Sequence, residues 1–382
     1  MGLDVSETPL KMEYARADPF VFGGKQDMKK NILAVLLGCL LAVILVEVIF
    51  QALPVSDATS TMDVNDANPY MRFEPNRSLD ISIGKFFEIR SRKKTNNWGF
   101  FDDKDFRRGE GKGKLVVIGD SYVEALQVKN AEAIHGRLSA ALDSQYDVYG
   151  IGSSGSPLSQ YLAYAKFARA EFDPSVFVFV VVANDYDESL LRYKQSPGYH
   201  YYDDNFQLER VDYRAGMLKT LLRFSATVRY FAINLRPYSF IGGARQGGSS
   251  AFVANVPAMV DEVRVSWSKR AVDRFMSDLK VIVGDKPVFF VVDGLREYIY
   301  RDGSDSQEKK SYAYVMNQYF IQQSEASRFF AIDLHPIFRD DYFRNGERFE
   351  FETNAHWNAR GHELAAEAVR LALSQRGLLW AR

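Results

Sequence analysis

The stretch KLVVIGDSYVEALQV, which runs from Lys114 to Val128, decides how this chain folds. Its first half is continuously apolar and rich in β-branched residues, which is typical of a strand covered on both faces of a sheet. The apolar run stops at Gly119, and an acid and a hydroxyl, Asp120 and Ser121, follow directly. The pair either caps the helix that begins there or presents Ser121 as a nucleophile. The second alternative requires a base and an oxyanion site elsewhere in the chain.

Similar apolar runs recur downstream and alternate with helical patterns. The predicted strands are Leu115–Ile118, Asp147–Ile151, Val176–Val182, Val288–Val292 and Phe329–Ile332, and the predicted helices are Ala131–Leu142, Ser159–Glu171, Val263–Ile282, Ser306–Gln323 and Gly361–Ser374. This alternation predicts a parallel sheet, whose sites form outside the carboxyl ends of the strands. A long segment at about 186–266 follows the third strand and predicts an insertion over the active face.

Composition excludes several classes of protein. The chain has 382 residues, of which 47% are hydrophobic, so one large domain or two small ones can bury a sizeable core. The net charge of −1 gives no indication of a nucleic-acid partner. The single cysteine, Cys39, excludes a disulfide within the chain. Ligand side chains are not clustered at metal-binding spacing, so neither a metal nor another cofactor is predicted.

An apolar segment near the N-terminus predicts a membrane anchor. About twenty apolar residues within 31–54 would span roughly 30 Å as a helix, the thickness of a bilayer core. The charges flanking it are Lys25, Lys29 and Lys30 before, and Asp57, Asp63 and Asp66 after. This asymmetry predicts one pass with a cytoplasmic N-terminus. A cleaved signal peptide and a lipobox at Leu36–Cys39 are the alternatives. The predicted organisation is a tail at 1–30, an anchor at 31–54, a linker at 55–75 and an extracytoplasmic domain at 76–382.

Polar segments follow the other predicted strands as well. The glycine-rich stretch GIGSSGSP, Gly150–Pro157, follows the second strand, and Asn184 and Asp185 follow the third. His356 lies on a predicted loop just before the last helix. In a parallel sheet these segments converge on one edge. A hydroxyl, a glycine turn, an amide and an imidazole are the groups that acyl transfer requires.

These segments resemble the SGNH (GDSL-like) hydrolase family, in the form of its membrane-anchored bacterial members. The matching blocks are Gly119-Asp120-Ser121-Tyr122, GIGSSGSPLSQ from Gly150, Asn184-Asp185, and His356-Trp357-Asn358-Ala359-Arg360-Gly361-His362. The resemblance covers about 96–373, without the insertion. It implies a flavodoxin-like three-layer α/β/α sandwich, on the periplasmic side of a bacterial inner membrane.

The resemblance also implies the residue roles. Ser121 would be the nucleophile and His356 the base. The backbone N–H groups of Ser121 and Gly155 and the side-chain amide of Asn184 would form the oxyanion hole. Residues expected to support this site are Asp120, Asp185, Trp357 and Asn358.

One departure from the family pattern concerns the orientation of the histidine. Family members usually carry an aspartate two or three residues before it, where this chain has Asn354 and Thr353. The amide oxygen of Asn354 can accept a hydrogen bond from the ring but supplies no negative charge. Glu352 is the nearest anion. Three alternatives follow: a Ser–His dyad helped by Asn354, a triad that uses Glu352, or a weakened or inactive site.

The predicted activity is that of an esterase or an O-acyltransferase. By analogy with the family, the substrate would be an O-acetyl ester of a cell-envelope or exported glycan. A membrane O-acyltransferase or a polysaccharide-export protein would be the partner. The alternative is an accessory subunit that binds a glycan or a membrane partner without turnover. Aromatic residues of the insertion would either stack on sugar rings or pack on each other: Tyr199, Tyr201, Tyr202 and Phe206.

Overall fold

A computed structural model describes residues 25–109, 111–217, 220, 223–235, 261–300 and 308–379. The chain divides into two compact units, Met1–Ile49 and Phe50–Arg382. The first unit holds most of helix α1, Lys25–Ala52, whose segment Met28–Ala52 is long and apolar enough to cross a membrane. The helix therefore begins six residues before the predicted anchor, and residues 1–24 of the predicted tail lie outside the described residues.

The described strands are β1 (Ser78–Ile83), β2 (Ile89–Lys94), β3 (Gly113–Gly119), β4 (Tyr146–Gly152), β5 (Val176–Val181), β6 (His200–Tyr202), β7 (Leu208–Arg210), β8 (Val288–Val292), β9 (Phe330–Asp333), β10 (Glu350–Phe351) and β11 (Asn354–Trp357). After α1, the described α-helices are α2 (Ser121–Glu124), α3 (Ile134–Leu142), α4 (Leu158–Phe172), α5 (Ala226–Arg229), α6 (Glu262–Val283), α7 (Arg296–Ile299), α8 (Tyr312–Ala326), α9 (Leu334–Asn345) and α10 (Ala359–Gln375).

A parallel sheet organises the second unit. Its described strands lie in the order β4-β3-β5-β8-β9, and each neighbouring pair is parallel. Numbered along the chain this order is 2-1-3-4-5, the flavodoxin-like arrangement. The predicted fold class is therefore confirmed. The carboxyl ends of β3, β4 and β5 lie side by side, which brings the segments that follow them to one edge.

The sheet strands are continuously apolar because both of their faces are covered. Val116 and Ile118 of β3 belong to a core cluster that includes residues of α4, α6 and α8. Leu115 and Val117 belong to a second cluster with residues of α3, α9 and α10. Successive side chains of a strand point to opposite faces, so alternate residues enter alternate layers. The result is the predicted α/β/α sandwich.

The predicted linker at 55–75 is instead part of the globular unit. Val64, Met71 and Phe73 are buried, and the N–H of Val64 donates to the carbonyl of Tyr213 at 2.9 Å. The segment is rich in turn-forming polar residues, a composition typical of a spacer, but its few apolar side chains pack against the domain. The antiparallel hairpin β1–β2 follows it. The linker prediction was therefore wrong.

The predicted insertion does lie between β5 and β8. Its described part includes the small β6–β7 sheet, α5 and the beginning of α6. Residues 236–260 of the insertion lie outside the described residues. Its tyrosines Tyr199, Tyr201 and Tyr202 are buried, as is Phe206. These rings pack within the protein, which is the second of the two alternatives considered for them.

Candidate active site

The turn that carries Ser121 is shaped by its neighbours. Strand β3 ends at Gly119, and Asp120 caps helix α2 by accepting the N–H of Tyr122 at 2.9 Å. The adjacent strand β4 ends at Gly152, where an added Cβ would lie 2.9 Å from the carbonyl oxygen of Asp120. Only glycine allows so close an approach without displacing the turn. The turn thus follows the end of β3 and packs against the end of β4, and Ser121 is the first residue of α2.

His356 lies beside Ser121, on a short strand and not on the predicted loop. It is part of β11, which pairs with β10 in an antiparallel hairpin. Its ring atom Nε2 is 2.7 Å from Ser121 Oγ. This is hydrogen-bond distance for a base that takes a proton from a nucleophilic hydroxyl.

Asn354 holds the other side of the imidazole ring. Its Oδ1 is 2.7 Å from His356 Nδ1 and also accepts the backbone N–H of His356 at 3.1 Å. Because a backbone N–H can only donate, the atom facing it must be the amide oxygen. The same oxygen then accepts from Nδ1, which places the ring proton on Nδ1. Nε2 of the neutral ring is left as the acceptor for the Ser121 hydroxyl.

Glu352, the other candidate for orienting the ring, lies in the turn of the β10–β11 hairpin. Its side chain is exposed, whereas Asn354 is half-buried beside the ring. Phe351 and Asn354 pair across this turn, which leaves Glu352 and Thr353 at its tip. Asn354 therefore occupies the position that an orienting group requires.

Buried groups hold the histidine strand in place. The carbonyl of Ala355, the residue before His356, accepts hydrogen bonds from Tyr122 Oη at 3.1 Å and from Arg296 Nη1 at 2.8 Å. Arg296 Nη2 donates to Tyr122 Oη at 2.7 Å. Tyr122 directly follows the serine, so this network joins the nucleophile turn to the base strand. Its effect is to fix the distance between Ser121 and His356.

Asp293 supplies the countercharge to Arg296. It follows β8, and its Oδ2 accepts from Arg296 Nη2 at 2.9 Å. Its Oδ1 accepts the indole N–H of Trp357 at 2.9 Å. Burial raises the pKa of Asp293, and the charge of Arg296 offsets part of that rise. Tyr122, Asp293 and Arg296 were not predicted as parts of the site, because their pairing exists only in the folded chain.

Asp120 is a second hydrogen-bond partner of the nucleophile. Its Oδ2 is 3.1 Å from Ser121 Oγ. Burial raises the pKa of Asp120 to about 6, and the hydrogen bond from Tyr122 N–H offsets part of the shift. The carboxylate therefore competes with His356 for the serine hydroxyl proton when it is ionised. Its cap on α2 agrees with the predicted bracing of the turn.

Two of the three predicted oxyanion groups, Gly155 and Asn184, are connected through a pair of charged residues from the insertion. The amide of Asn184 donates from Nδ2 to Glu188 Oε2 at 3.1 Å. Lys194 Nζ donates to the carbonyl of Gly155 at 2.9 Å and to the same Glu188 oxygen. Gly155 has a φ of +82°, which favours glycine. Glu188 Oε2 accepts only one of the two Nδ2 hydrogens of Asn184. The second hydrogen can therefore donate to another acceptor.

The glycine-rich segment Gly150–Pro157 is also bonded to α2, the helix that begins at Ser121. Glu124, the last residue of α2, accepts the backbone N–H of Ser154. Tyr199 of the insertion donates to the carbonyl of Ser154 at 2.7 Å. Burial raises the pKa of Glu124 to about 7. The position of Gly155 relative to Ser121 thus depends on contacts from two different elements.

The remaining residues predicted to support the site have structural contacts. Asp185 is buried and accepts from Tyr161 Oη at 2.8 Å and from the N–H of Val182 at 2.9 Å. Trp357 is fully buried. Asn358 caps α10, because its Oδ1 accepts the N–H groups of Arg360 and Gly361, each at 3.0 Å. These residues position the strand ends and the last helix.

The fold and the site together define a flavodoxin-like α/β/α protein with a serine–histidine–asparagine hydrogen-bond chain at the carboxyl edge of its sheet. No family model and no curated protein matches the chain.

The chain is similar to solved structures of lipolytic proteins and of an α/β hydrolase, each at low sequence identity. A member of the lipolytic protein G-D-S-L family from Veillonella parvula is 9% identical and has a TM-score of 0.36, with 68% of this chain and 98% of that one covered. A lipase/acylhydrolase from Enterococcus faecalis is 12% identical with a TM-score of 0.38, covering 69% and 96%. The α/β hydrolase LAE5 from the metagenome of Lake Arreo is 15% identical with a TM-score of 0.39, covering 72% and 99%.

Proposed function

We propose that this chain is a serine ester hydrolase of the SGNH type, or a related O-acyltransferase. The observation that carries the proposal is the uninterrupted hydrogen-bond chain from Ser121 Oγ through the ring of His356 to Asn354 Oδ1, with 2.7 Å at each step. The backbone N–H of His356 fixes the amide so that the ring tautomer suits a base. An orienting group without charge can therefore perform the directional part of an aspartate's role.

In the proposed reaction, Ser121 Oγ attacks the carbonyl carbon of an ester while its proton passes to His356 Nε2. The tetrahedral oxyanion collapses, the bond to the leaving oxygen breaks, and His356 returns the proton to that oxygen. An acyl-serine and a free alcohol result. Water, or an acceptor hydroxyl in the case of a transferase, then attacks the acyl-serine with His356 again as the base. Release of the acid or the new ester restores the Ser121 hydroxyl.

The developing oxyanion would be stabilised by the N–H groups of Ser121 and Gly155 and by the second amide hydrogen of Asn184. Glu188 supports this role, because its hydrogen bond with Asn184 Nδ2 fixes which end of the amide is the donor. Asn354 stabilises the imidazolium less than a carboxylate would, since it carries no charge. We therefore expect slower turnover than in an otherwise identical site with aspartate.

We infer that the substrate is an O-acyl, most simply an O-acetyl, group on a cell-envelope or exported glycan. The apolar helix α1 supports this inference, since a chain anchored in the inner membrane with its domain outside the cytoplasm meets such polymers. A membrane O-acyltransferase or an export protein would then act beside it. A reporter fused to the C-terminus tests the topology, and activity of a reporter that functions only in the cytoplasm would contradict it.

The experiment that tests the activity compares the purified full-length chain with its Ser121→Ala variant on p-nitrophenyl acetate and on an O-acetylated polysaccharide. The matched control is Ser277→Ala, which removes an exposed hydroxyl on α6. Release of nitrophenol and acetate should be lost in Ser121→Ala and unchanged in Ser277→Ala. Equal release by all three proteins on both substrates would contradict the enzyme and favour a glycan-binding accessory subunit.

A further inference from the structure

Three segments of the second unit meet around Phe50, in the last turn of α1. The Phe50 ring lies 4.7 Å from that of Tyr230 and 6.3 Å from that of Phe231. Tyr230 Oη donates to the carbonyl of Lys85, at the tip of the β1–β2 hairpin, at 3.0 Å. Gln51 Nε2 donates to the carbonyl of Phe224 at 3.4 Å. These contacts join 50–53, 84–87 and 224–231 into one surface, which we call the base surface.

The base surface exposes large apolar side chains. The exposed fractions are 71% for Phe86, 65% for Phe224, 48% for Phe231 and 42% for Leu53. A hairpin tip and a chain turn ordinarily carry polar residues, because their side chains face water. A concentration of exposed aromatic residues in one place therefore indicates a surface that is covered in the working protein.

The backbone beneath the base surface is firmly held. Asn234 is buried, and its Oδ1 accepts the N–H of Ser56 at 3.2 Å while its Nδ2 donates to Ser82 Oγ at 2.8 Å. Arg229 Nε donates to the carbonyl of Ser56 at 3.0 Å. These bonds connect the first residues after α1 with β1 and with the insertion. The segments that carry the aromatic side chains are thus tied to one another and to the domain through their backbone and buried polar groups.

We propose that the base surface lies in the headgroup region of a lipid bilayer, so that the domain is seated on the membrane and not suspended from it. Aromatic residues are favoured in this region because they combine an apolar ring with tolerance of water. Lys85 and Arg90 are exposed at the same hairpin, and Lys85 Nζ lies 4.9 Å from the Phe86 ring centroid. Long basic side chains can extend from such rings toward phosphate groups.

Chain connectivity supports a lipid occupant over a protein partner. Phe50 directly follows the last residue of the first unit, whose helix is long and apolar enough to span a bilayer. The base surface includes Phe50 itself, so a membrane that contains this helix would begin where the base surface lies. The inference therefore rests on insertion of α1, and it goes beyond the proposed esterase activity, which does not require a seated domain.

Electron paramagnetic resonance of spin labels tests the proposal on the full-length chain in nanodiscs of phosphatidylcholine and phosphatidylglycerol. A label on the native Cys39, which is exposed on α1, reports whether the helix is inserted. Single labels at Phe86→Cys and Phe224→Cys, each in a Cys39→Ser background, report on the base surface. Val281→Cys on α6 is the matched control, because that side chain is 86% exposed on another element.

The measurement is the accessibility of each label to oxygen, which concentrates in lipid, relative to a water-soluble nickel chelate. We expect oxygen to be favoured at 39, 86 and 224 and the chelate at 281. Chelate accessibility at 86 and 224 with an inserted Cys39 would overturn the proposal, and so would protection from both reagents, which would indicate a protein partner. Chelate accessibility at Cys39 would overturn it by removing the anchoring on which it rests. Esterase activity measured on the same samples is independent of these outcomes.

Discussion

The histidine strand and the Asn184 turn both bring a polar side chain to the edge of the sheet, but they are held there differently. The histidine strand is fixed by Arg296, whose side chain is 1% exposed. The Asn184 turn is held by Glu188 and Lys194, whose side chains are 20% and 18% exposed. Buried charge pairs are costly to break, whereas partly exposed pairs contribute less. Changes at the first region should therefore damage both fold and rate, and changes at the second should affect mainly the rate.

The largest expected effect comes from the group that orients the histidine. Asn354→Leu removes the acceptor at Nδ1, so the ring loses both its orientation and its tautomer. We expect kcat to fall by about 10³- to 10⁴-fold, the range seen when a triad's orienting residue is altered. Asn354→Asp should raise kcat above that of the wild type, because a carboxylate accepts the same bonds and adds a negative charge that stabilises the imidazolium. The kinetics of ester hydrolysis provide the measurement. A greater loss in Glu352→Gln than in Asn354→Leu would show that Glu352 orients the ring.

The next effect concerns stability. Arg296→Met leaves Asp293 without its cationic partner in a buried site, which should cost about 3–5 kcal/mol of unfolding free energy. Denaturant unfolding of the detergent-solubilised chain measures this change. Arg370→Met is the matched control, since Arg370 and its partner Glu367 are 38% and 48% exposed, and its loss should be below about 1 kcal/mol. Similar losses in the two variants would mean that the buried network does not support the histidine strand.

Asp120 lies next to the nucleophile, and its effect depends on pH. Its pKa is raised by burial to about 6 in the folded chain, so between about pH 4 and pH 6 the folded state binds more protons there than the unfolded state. This group therefore stabilises the protein at low pH, and the contribution is lost as pH rises through 6. Relative to wild type, Asp120→Asn should gain roughly 2–3 kcal/mol of unfolding free energy across this interval. A difference independent of pH between 4 and 7 would contradict the raised pKa.

The smallest expected effect is at the Asn184 turn, which Glu188 and Lys194 hold in place. Glu188→Gln and Lys194→Met should lower kcat/KM for an ester by about tenfold, or roughly 1.4 kcal/mol, because Asn184 and Gly155 lose their orientation while the fold persists. Lys194→Arg should restore most of the rate. The matched control is Asp204→Asn, which breaks an exposed ion pair with Arg192 in the same insertion. An unchanged rate in both Glu188→Gln and Lys194→Met, or an equal loss in Asp204→Asn, would refute the positioning role.

The sequence was sufficient to predict the sheet and the serine–histidine pair for a physical reason. A strand buried on both faces must be apolar throughout, as Leu115–Ile118 is, and the carboxyl ends of parallel strands necessarily meet. The strand prediction for Asp147–Ile151 differs from the observed Tyr146–Gly152 by only one residue at each end. His356 could be placed because it stands directly before the last amphipathic helix.

Other features could not be read from the sequence because they depend on pairing between distant segments. Lys194 and Glu188 appear ordinary in a polar insertion until folding brings them to Gly155 and Asn184. The segment 55–75 has the composition of a spacer. Its packing depends on isolated apolar residues such as Val64, which is buried in the domain and belongs to no periodic apolar pattern. The helix α9 was missed because His335 precedes Pro336. In the structure Asp333 caps that helix by accepting the His335 N–H at 2.9 Å, and proline is tolerated in a first turn.

The amide of Asn354 has a consequence for behaviour in acid. A carboxylate in its place would take up a proton at sufficiently low pH and lose its strength as an acceptor for the imidazole. An amide does not titrate in this range, so the bond from His356 Nδ1–H to Asn354 Oδ1 persists wherever the domain is folded. A proton bound at Nε2 prevents His356 from acting as a base. The ring nevertheless keeps its orientation toward Ser121, because its bond to Asn354 is retained. Recovery on return to neutral pH therefore needs only the loss of that proton, with no rearrangement of the loop.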